Sequence, residues 1–186
     1  MTKFYEYLLA LRYRLNGWRL SLYLRSLGCT VGKNLKCMRF PTFRDIPKGN
    51  YTIGDNVVIG QGVIFEITQT GCLIIGDEVL IGAYTRFSST AAIKIGNWAG
   101  IAENCSIRGS AHHLKRNQKY MKQGNVGKEI SIGDDVLIGA CSQVLIGAQI
   151  PEGVVIGALS LVTQHVKLHS YGIFAGAPVK HIRDRE

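Results

Sequence analysis

A three-sided β-solenoid, built of short strands stacked coil on coil, is the fold class this sequence predicts, on three observations. An aliphatic or aromatic residue recurs at every sixth position, as in Ile132, Ile138, Val144, Ile150, Ile156 and Val162. A helix repeats at 3.6 residues and a strand at 2, so neither supplies that period. Glycine usually follows this position, as at Gly54, Gly76, Gly96, Gly133 and Gly157. Four residues after it stands a small or β-branched residue, as at Val57, Val79, Ala99, Ala148 and Ser160. The physical reading is a strand of about five residues followed by a tight corner, with three hexads closing one coil. The large residue points at the coil axis and stacks on its counterpart in the next coil, and glycine is expected to supply the corner dihedrals. No coil buries its own core, so stability comes from neighbour stacking.

The elements follow in chain order. Residues 1–30 read as a helical segment. In "FYEYLLALRYRLNGWRLSLYLRSLG", Phe4, Leu8, Leu11, Leu15, Trp18 and Leu22 alternate at spacings of four and three, which marks one face of a helix. Lys3, Arg12, Arg14, Arg19 and Arg25 supply its cationic sides. Gly17 after Asn16 is expected to divide it in two, since glycine costs about 1 kcal/mol in a helix. Two roles fit this amphipathic segment: a cap whose apolar face covers the open first coil, and a peripheral anchor on an anionic membrane.

Residues 31–170 carry the coils. Val31, Cys37 and Phe43 form an irregular first turn; Ile53, Ile59, Phe65, then Ile75, Ile81, Phe87, then Ile95, Ile101, Ile107 continue the six-residue phase. The phase slips by four residues between Phe65 and Ile75 and by two between Phe87 and Ile95. It breaks over a polar, basic insertion at 108–131, "RGSAHHLKRNQKYMKQGNVGKEIS". Long loops in compact domains are usually functional. Residues 171–186 read as a turn and a short C-terminal helix.

Composition narrows the function. One domain is the expectation for 186 residues, and 46% hydrophobic content supplies its core. No apolar run approaches the ~20 residues that span a bilayer. The cysteines, Cys29, Cys37, Cys72, Cys105 and Cys141, are scattered without CxxC spacing and no cleavable signal precedes them, which points to reduced thiols and a cytoplasmic address. The net charge of +9 gathers in the N-terminal segment, the insertion and the C-terminus rather than in a groove-tracking stripe. That distribution suits a phosphate-bearing cofactor or an acidic membrane and argues against nucleic acid.

The stretches "IGDNVVIGQGVIF", "ISIGDDVLIGA", "VVIGALSLVT" and "FAGAPVKHIR" resemble the hexapeptide-repeat, left-handed parallel β-helix acyltransferases, and among them the maltose, galactoside and surface-polysaccharide O-acetyltransferases. The resemblance covers roughly Val31 to Arg183. It implies a left-handed coil, acetyl-CoA as cosubstrate, a saccharide acceptor and a homotrimer with active sites shared between subunits.

Register places His112 at the start of the insertion, five residues after Ile107, where a strand still directs it; His113 lies one residue further out. The resemblance implies that His112, after a "GSAH" stretch, is the catalytic base. A neutral imidazole suits removal of a proton from a sugar hydroxyl as it attacks a thioester. Glu103 is a candidate carboxylate to orient it. The same resemblance implies a backbone N–H donor to the oxyanion at Ala140. It also implies a cofactor groove against Gly139, Ala140, Gly157 and Ala158, and phosphate contacts from Lys180 and Arg183 after the turn Ala175–Pro178. For Lys180 and Arg183 a solvated helix face is the plainer alternative. Leu137 and Gln164 depart from the family pattern, with Lys167 a substitute for the latter. Tyr84, Arg86 and Ser88 are candidates to face an acceptor, with a plain coil surface the safer alternative.

Two rival classes stay open. A non-enzymatic scaffold would bind no acetyl-CoA. A zinc-dependent, carbonic-anhydrase-like hydrase needs three converging histidines; His112 and His113 are adjacent, His165, His169 and His181 lie far along the chain, and no metal set is read from the spacing.

Overall fold

The computed structural model describes residues 2–186. A single helix, α1 (Thr2–Ser26), leads into a parallel β-solenoid whose strands form three faces of six, eight and six strands. Face A stacks Thr30–Val31, Tyr51–Ile53, Cys72–Ile75, Ala92–Ile95, Ile130–Ile132 and Gln149–Ile150. Face B stacks Lys36–Cys37, Val58–Ile59, Leu80–Ile81, Gly100–Ile101, Leu137–Ile138 and Val155–Ile156, then Gly172–Ala175 and Lys180–Asp184. Face C stacks Thr42–Phe43, Ile64–Ile67, Arg86–Ser89, Ser106–Arg108, Gln143–Leu145 and Leu161–Val162.

The six-residue phase is the register of these faces. Val31, Ile53, Ile75, Ile95, Ile132 and Ile150 are successive partners on face A. Cys37, Ile59, Ile81, Ile101, Ile138, Ile156 and Phe174 are partners on face B. Phe43, Phe65, Phe87, Ile107, Val144 and Val162 are partners on face C. Phe43, Phe65 and Phe87 stack ring on ring at 5.5 and 5.4 Å.

The glycines after the aliphatic positions serve a different purpose from the one expected. A Cβ at Gly54 would lie 2.5 Å from the Gly76 carbonyl oxygen, one at Gly82 2.4 Å from the Ala102 carbonyl carbon, and one at Gly139 2.5 Å from the Ala158 nitrogen. Their value is close approach between coils. The left-handed dihedrals fall two residues later, on Asn56, Glu78, Tyr84, Trp98, Asn104, Asp135, Cys141 and Leu159. That conformation turns the amide toward the preceding coil: Glu78 N–H donates to the Asp55 carbonyl, Trp98 N–H to Asp77 and Leu159 N–H to Ala140, at 2.8 to 2.9 Å.

The helix also differs from expectation in two respects. It is unbroken at Gly17, because glycine there serves contact: a Cβ would sit 1.8 Å from the Leu35 carbonyl oxygen. Its seated face is Gly17, Leu20, Ser21 and Leu24, with Leu9, Tyr13 and Asn16 half-buried. Phe4, Leu8, Leu11, Leu15, Trp18 and Leu22, the stripe read as the capping face, point to solvent. Apolar residues occur around most of the helix, so periodicity did not select a side; the need for a bare Cα against Leu35 and for donors to the first coil did. Asn16 Nδ2 donates to the Met38 carbonyl at 2.9 Å and Arg25 to that of Val31 at 2.6 Å. Leu20 and Leu24, fully buried, contribute together about 3–6 kcal/mol.

At the far end the expected C-terminal helix is a strand. Lys180–Asp184 folds back antiparallel on Gly172–Ala175, with Ala175 opposite Lys180 and Gly172 opposite Asp184. The last parallel strand leaves an edge of unpaired backbone groups, and Pro178 in the intervening turn removes a donor and fixes φ where a helix would need to start.

Gly17→Ala separates packing from propensity. Alanine gains about 1 kcal/mol of helix propensity, whereas the Cβ collides with Leu35. The expected outcome is a net loss of about 1–3 kcal/mol, read as a thermal midpoint lowered by about 2–4 °C per kcal/mol; a raised midpoint would mean that the helix is not seated on the first coil.

Candidate active site

The insertion leaves face C after Arg108 and is ordered, not irregular. Ser110–His112 pairs antiparallel with Asn125–Gly127, placing His112 opposite Asn125, and a single 3₁₀ turn, Tyr120–Lys122, lies between. Its base is held by Gly109 N–H to the Ser88 carbonyl, Lys128 N–H to the Gly109 carbonyl, and a Lys94–Glu129 ion pair at 2.9 Å. Gly109 and Gly127 let the hairpin lie flat on the coil below, where added Cβ atoms would meet Ser89 Oγ at 2.3 Å and Thr90 Oγ1 at 2.4 Å.

The hairpin arches over the outer surface of face C and encloses an open cavity of about 640 Å³. Ser110, His112, Leu114 and Asn125 come from the hairpin; Glu66, Arg86, Ser88, Arg108, Leu145 and Ile146 come from the coils. The His112 ring meets Tyr120 edge-on at 5.5 Å, and among the described residues no side chain hydrogen-bonds its imidazole nitrogens. His113 is half-buried, lies outside the cavity lining and donates its backbone N–H to Gly124.

Arg86 is ion-paired with Glu66. Burial alone would raise the Glu66 carboxyl, but the hydrogen bond and charge of Arg86, with Arg44 behind, outweigh it and hold the carboxyl below its usual range. Arg86 Nε is buried with no hydrogen-bond partner among the described residues. Arg108, unlike Arg86, has no carboxylate partner among the described residues, so the cavity carries uncompensated positive charge.

Of the acceptor-facing residues read from the sequence, Arg86 and Ser88 line this cavity and Tyr84 does not; Tyr84 occupies a B/C corner, its hydroxyl accepting from Gln61 Nε2. Glu103 is also on that corner edge and not in the cavity, where the carboxylate is Glu66. Glu66 and Arg108 were overlooked, although Glu66, Ser88, Arg108 and Leu145 form one register column, each directly after the inward residue of its strand.

The proposed cofactor residues collect at the B/C corner. Gly139 lies under Ala158, Leu159 N–H reaches the Ala140 carbonyl, and Gly157 lies under Ala175, where a Cβ would be 2.9 Å from the alanine methyl. Lys180 faces Ala175 across the hairpin and so joins this stack; Arg183 pairs with Ile173 further toward the hairpin base, its guanidinium on the Asp184 carbonyl and Glu186. At the A/B corner, the second-position amides of Lys33, Asp55, Asp77 and Asn97 are each capped by an Asp or Asn side chain of the next coil. At the B/C corner of the last two coils that position is Ala140 and Ala158, and neither N–H has a hydrogen-bond partner among the described residues, as holds also for Asp134 and Glu152 at the A/B corner of the same coils. Behind the corner, Thr85, Cys105, Ser142 and Ser160 bond the coil carbonyls, Cys105 donating to Gly139 at 3.3 Å. Burial pushes the Cys105 thiol up, and that of Cys37 up to about 11, so neither supplies a thiolate nucleophile at neutral pH.

His112 and Ala140 stand at opposite ends of face C. Six residue steps separate Ala140 from cavity-lining Ile146, at most about 20 Å of extended chain at about 3.3 Å per residue.

No family model matches the chain. It is 30% identical over 164 residues to the dTDP-4-amino-4,6-dideoxy-D-glucose acyltransferase of Escherichia coli, covering 84% of this chain and 82% of the relative. To WbbJ of Escherichia coli K12, named for lipopolysaccharide-biosynthesis O-acetyl transfer, it is 27% identical over 160 residues, covering 81% and 80%. Among solved structures, a mutant of AntD, an N-acyltransferase from Bacillus cereus in complex with dTDP-4-amino-4,6-dideoxyglucose and coenzyme A, superposes with a TM-score of 0.74 at 26% identity over 89% of each chain.

Proposed function

Since the chain belongs to the hexapeptide-repeat acyltransferases of the left-handed parallel β-helix fold, we propose that it transfers an acetyl group from acetyl-CoA to a hydroxyl of a saccharide or surface-polysaccharide precursor, with His112 as general base. The observation that carries this reading is the placement of His112: on a paired strand at a cavity, with no hydrogen bond to its imidazole nitrogens among the described residues. In the reaction, an imidazole nitrogen takes the acceptor's proton as the hydroxyl oxygen bonds to the thioester carbon. The negative charge collects on the carbonyl oxygen, where the unpaired Ala140 N–H is a donor. Collapse breaks the C–S bond, and the imidazolium returns the proton to the leaving thiolate. Gly139, Gly157 and Ala158 admit the pantetheine chain closely, and Lys180 and Arg183 meet the cofactor phosphates.

The uncompensated charge of Arg108, with the free Nε of the half-buried Arg86 beside it, supports an acceptor bearing phosphate, such as a nucleotide- or lipid-phosphate-linked sugar. A second reading, transfer to a sugar amine, is favoured by the amino-sugar names of two of the similar proteins.

The distance between His112 and Ala140 supports a homotrimer in which the hairpin of one subunit meets the B/C corner of the next, so that each active site has two parents. The exposed helix face supports peripheral docking at the inner surface of an anionic membrane. No helix among the described residues is long and apolar enough to cross one. Beside that face a groove of about 580 Å³ is lined by Arg14, Arg25, Lys33 and Lys36 with Trp18, a combination of basic and aromatic groups suited to lipid headgroups.

Thiol release from acetyl-CoA with a panel of hydroxyl- and amino-sugar acceptors, free and phosphate-linked, tests the chemistry. His112→Ala is expected to lower turnover by about 10² to 10⁴ with acetyl-CoA affinity nearly unchanged, and His113→Ala to stay within a few-fold of native. The reverse ranking would sink the assignment, and no release with any acceptor would favour a scaffold. Co-refolding His112→Ala chains with Ala140→Trp chains should recover activity that neither has alone; none would be recovered if each site lay within one subunit. In vesicle flotation the native protein should rise with anionic but not neutral lipid, and a Leu15→Ser, Trp18→Ser variant should lose at least half of that binding. Equal flotation of the variant would assign the face another role.

A further inference from the structure

On the C-terminal hairpin, away from the cavity, two histidines converge on one carboxylate. His169 Nε2 lies 2.7 Å and His181 Nε2 2.9 Å from the same oxygen, Asp184 Oδ1. His169 precedes the strand Gly172–Ala175, while His181 and Asp184 share the returning strand, so the cluster ties together segments that only the hairpin makes neighbours. We propose that His169, His181 and Asp184 form a binding site for a divalent transition-metal ion, zinc being the chemical type, that clasps the hairpin to the end of the solenoid. The reading is independent of the acyl-transfer proposal.

Four features carry it. Two imidazole nitrogens and a carboxylate oxygen are the donor set zinc takes, at about 2.0–2.2 Å, with water in the fourth position. Their donor atoms already lie within 4.8 Å of one another, and tetrahedral ligation at those bond lengths needs separations of roughly 3.4 Å. Reaching that opens the 2.7 and 2.9 Å carboxylate contacts by roughly half an ångström and closes the widest pair by up to about 1.4 Å, movements that side-chain torsions of exposed residues supply.

The rings are held by their surroundings. They lie 4.8 Å apart, and each meets Phe174 edge-on, at 5.2 and 5.3 Å. Gly172 leaves room for this: a Cβ there would be 2.9 Å from His169 Nε2 and 2.5 Å from Phe174 Cε2. Finally, the neighbouring guanidiniums are drawn elsewhere. Arg183 binds the Asp184 carbonyl and Glu186, and Arg185 binds Asp135 and the Gly153 carbonyl, so among the described residues the Asp184 carboxylate is bonded by the two imidazoles alone. All three side chains are exposed, so an ion enters without opening the fold. This site lies within one chain and has two histidines, unlike the three-histidine arrangement a hydrase requires.

Tag-free protein stripped with chelator and titrated with cobalt(II) tests the site directly. The expected result is one saturable visible absorption band of a low-coordinate N/O site per chain, displaced by one equivalent of zinc, and a thermal midpoint raised by zinc. His169→Ala, His181→Ala and Asp184→Asn should each weaken binding by at least about 10-fold, the loss already expected when only a supporting group around a metal is removed. His165→Ala, outside the cluster, should bind as native does. Absence of a saturable band in native protein, or native-like affinity in the Asp184→Asn variant with its circular dichroism unchanged, overturns the proposal.

Discussion

Backbone contact between successive coils at the corners is the constraint on which the rest of the molecule depends. Stacked strands stand about 4.8 Å apart, and at Gly54, Gly82, Gly96 and Gly139 the chain above comes so near that a methyl group would strike backbone or a corner carboxylate. Once the chains are that close, the residue two positions later swings into the left-handed region and delivers its amide to the coil beneath. For residues such as Trp98 and Leu159 that conformation costs about 1–2 kcal/mol, and a hydrogen bond returns about 0.5–1.5 kcal/mol. The corners are therefore nearly neutral by themselves. What holds them is the three inner columns, whose burial is possible only if every corner keeps the same height.

The three columns, the irregular first coil and the insertion were legible in the sequence because each is a matter of period, and a period can be counted. The start of the excursion beside Ile107 was legible for the same reason, whereas the direction of His112 is set by its pairing opposite Asn125, which the coil phase does not state. Other features depended on what stands opposite, which no single period states. The helix stripe of Phe4 to Leu22 has the right spacing and the wrong side, because the Leu35 carbonyl selects the face with no side chain. Lys180–Asp184 reads as a helix in isolation and becomes a strand because Gly172–Ala175 offers an edge. Glu66 and Arg108 were missed because an outward column is visible only once the coils are stacked, whereas Glu103 was close in sequence and distant in space.

The two chemical regions divide the solenoid by edge. The B/C edge is built from small residues and presents bare amides at Ala140 and Ala158, while the A/B edge spends the same amides on the side chains of Asp55, Asp77, Asn97 and Asp134. One backbone geometry thus yields a corner sealed from Lys33 to Asn97 and an open one at Ala140 and Ala158, and the difference lies in a single side chain per coil. A polar column of Thr85, Cys105, Ser142 and Ser160 stiffens the open edge from within, so it gains donors facing outward without losing order.

The C/A corner differs from the other two in having no fixed length. Phe65 to Ile75 spans ten residues, Phe87 to Ile95 eight, Ile107 to Ile132 twenty-five and Val144 to Ile150 only six, yet Ile75, Ile95, Ile132 and Ile150 fall in one register. A chain can therefore be lengthened, shortened or exchanged at this corner without moving any residue of the B/C edge. Acceptor preference and donor handling are separable in such a body: a new tip grafted between His113 and Asn125 would alter which molecule is held beside His112 while the opposite edge went on as before. The solenoid works as an evolutionary chassis with one free socket per coil.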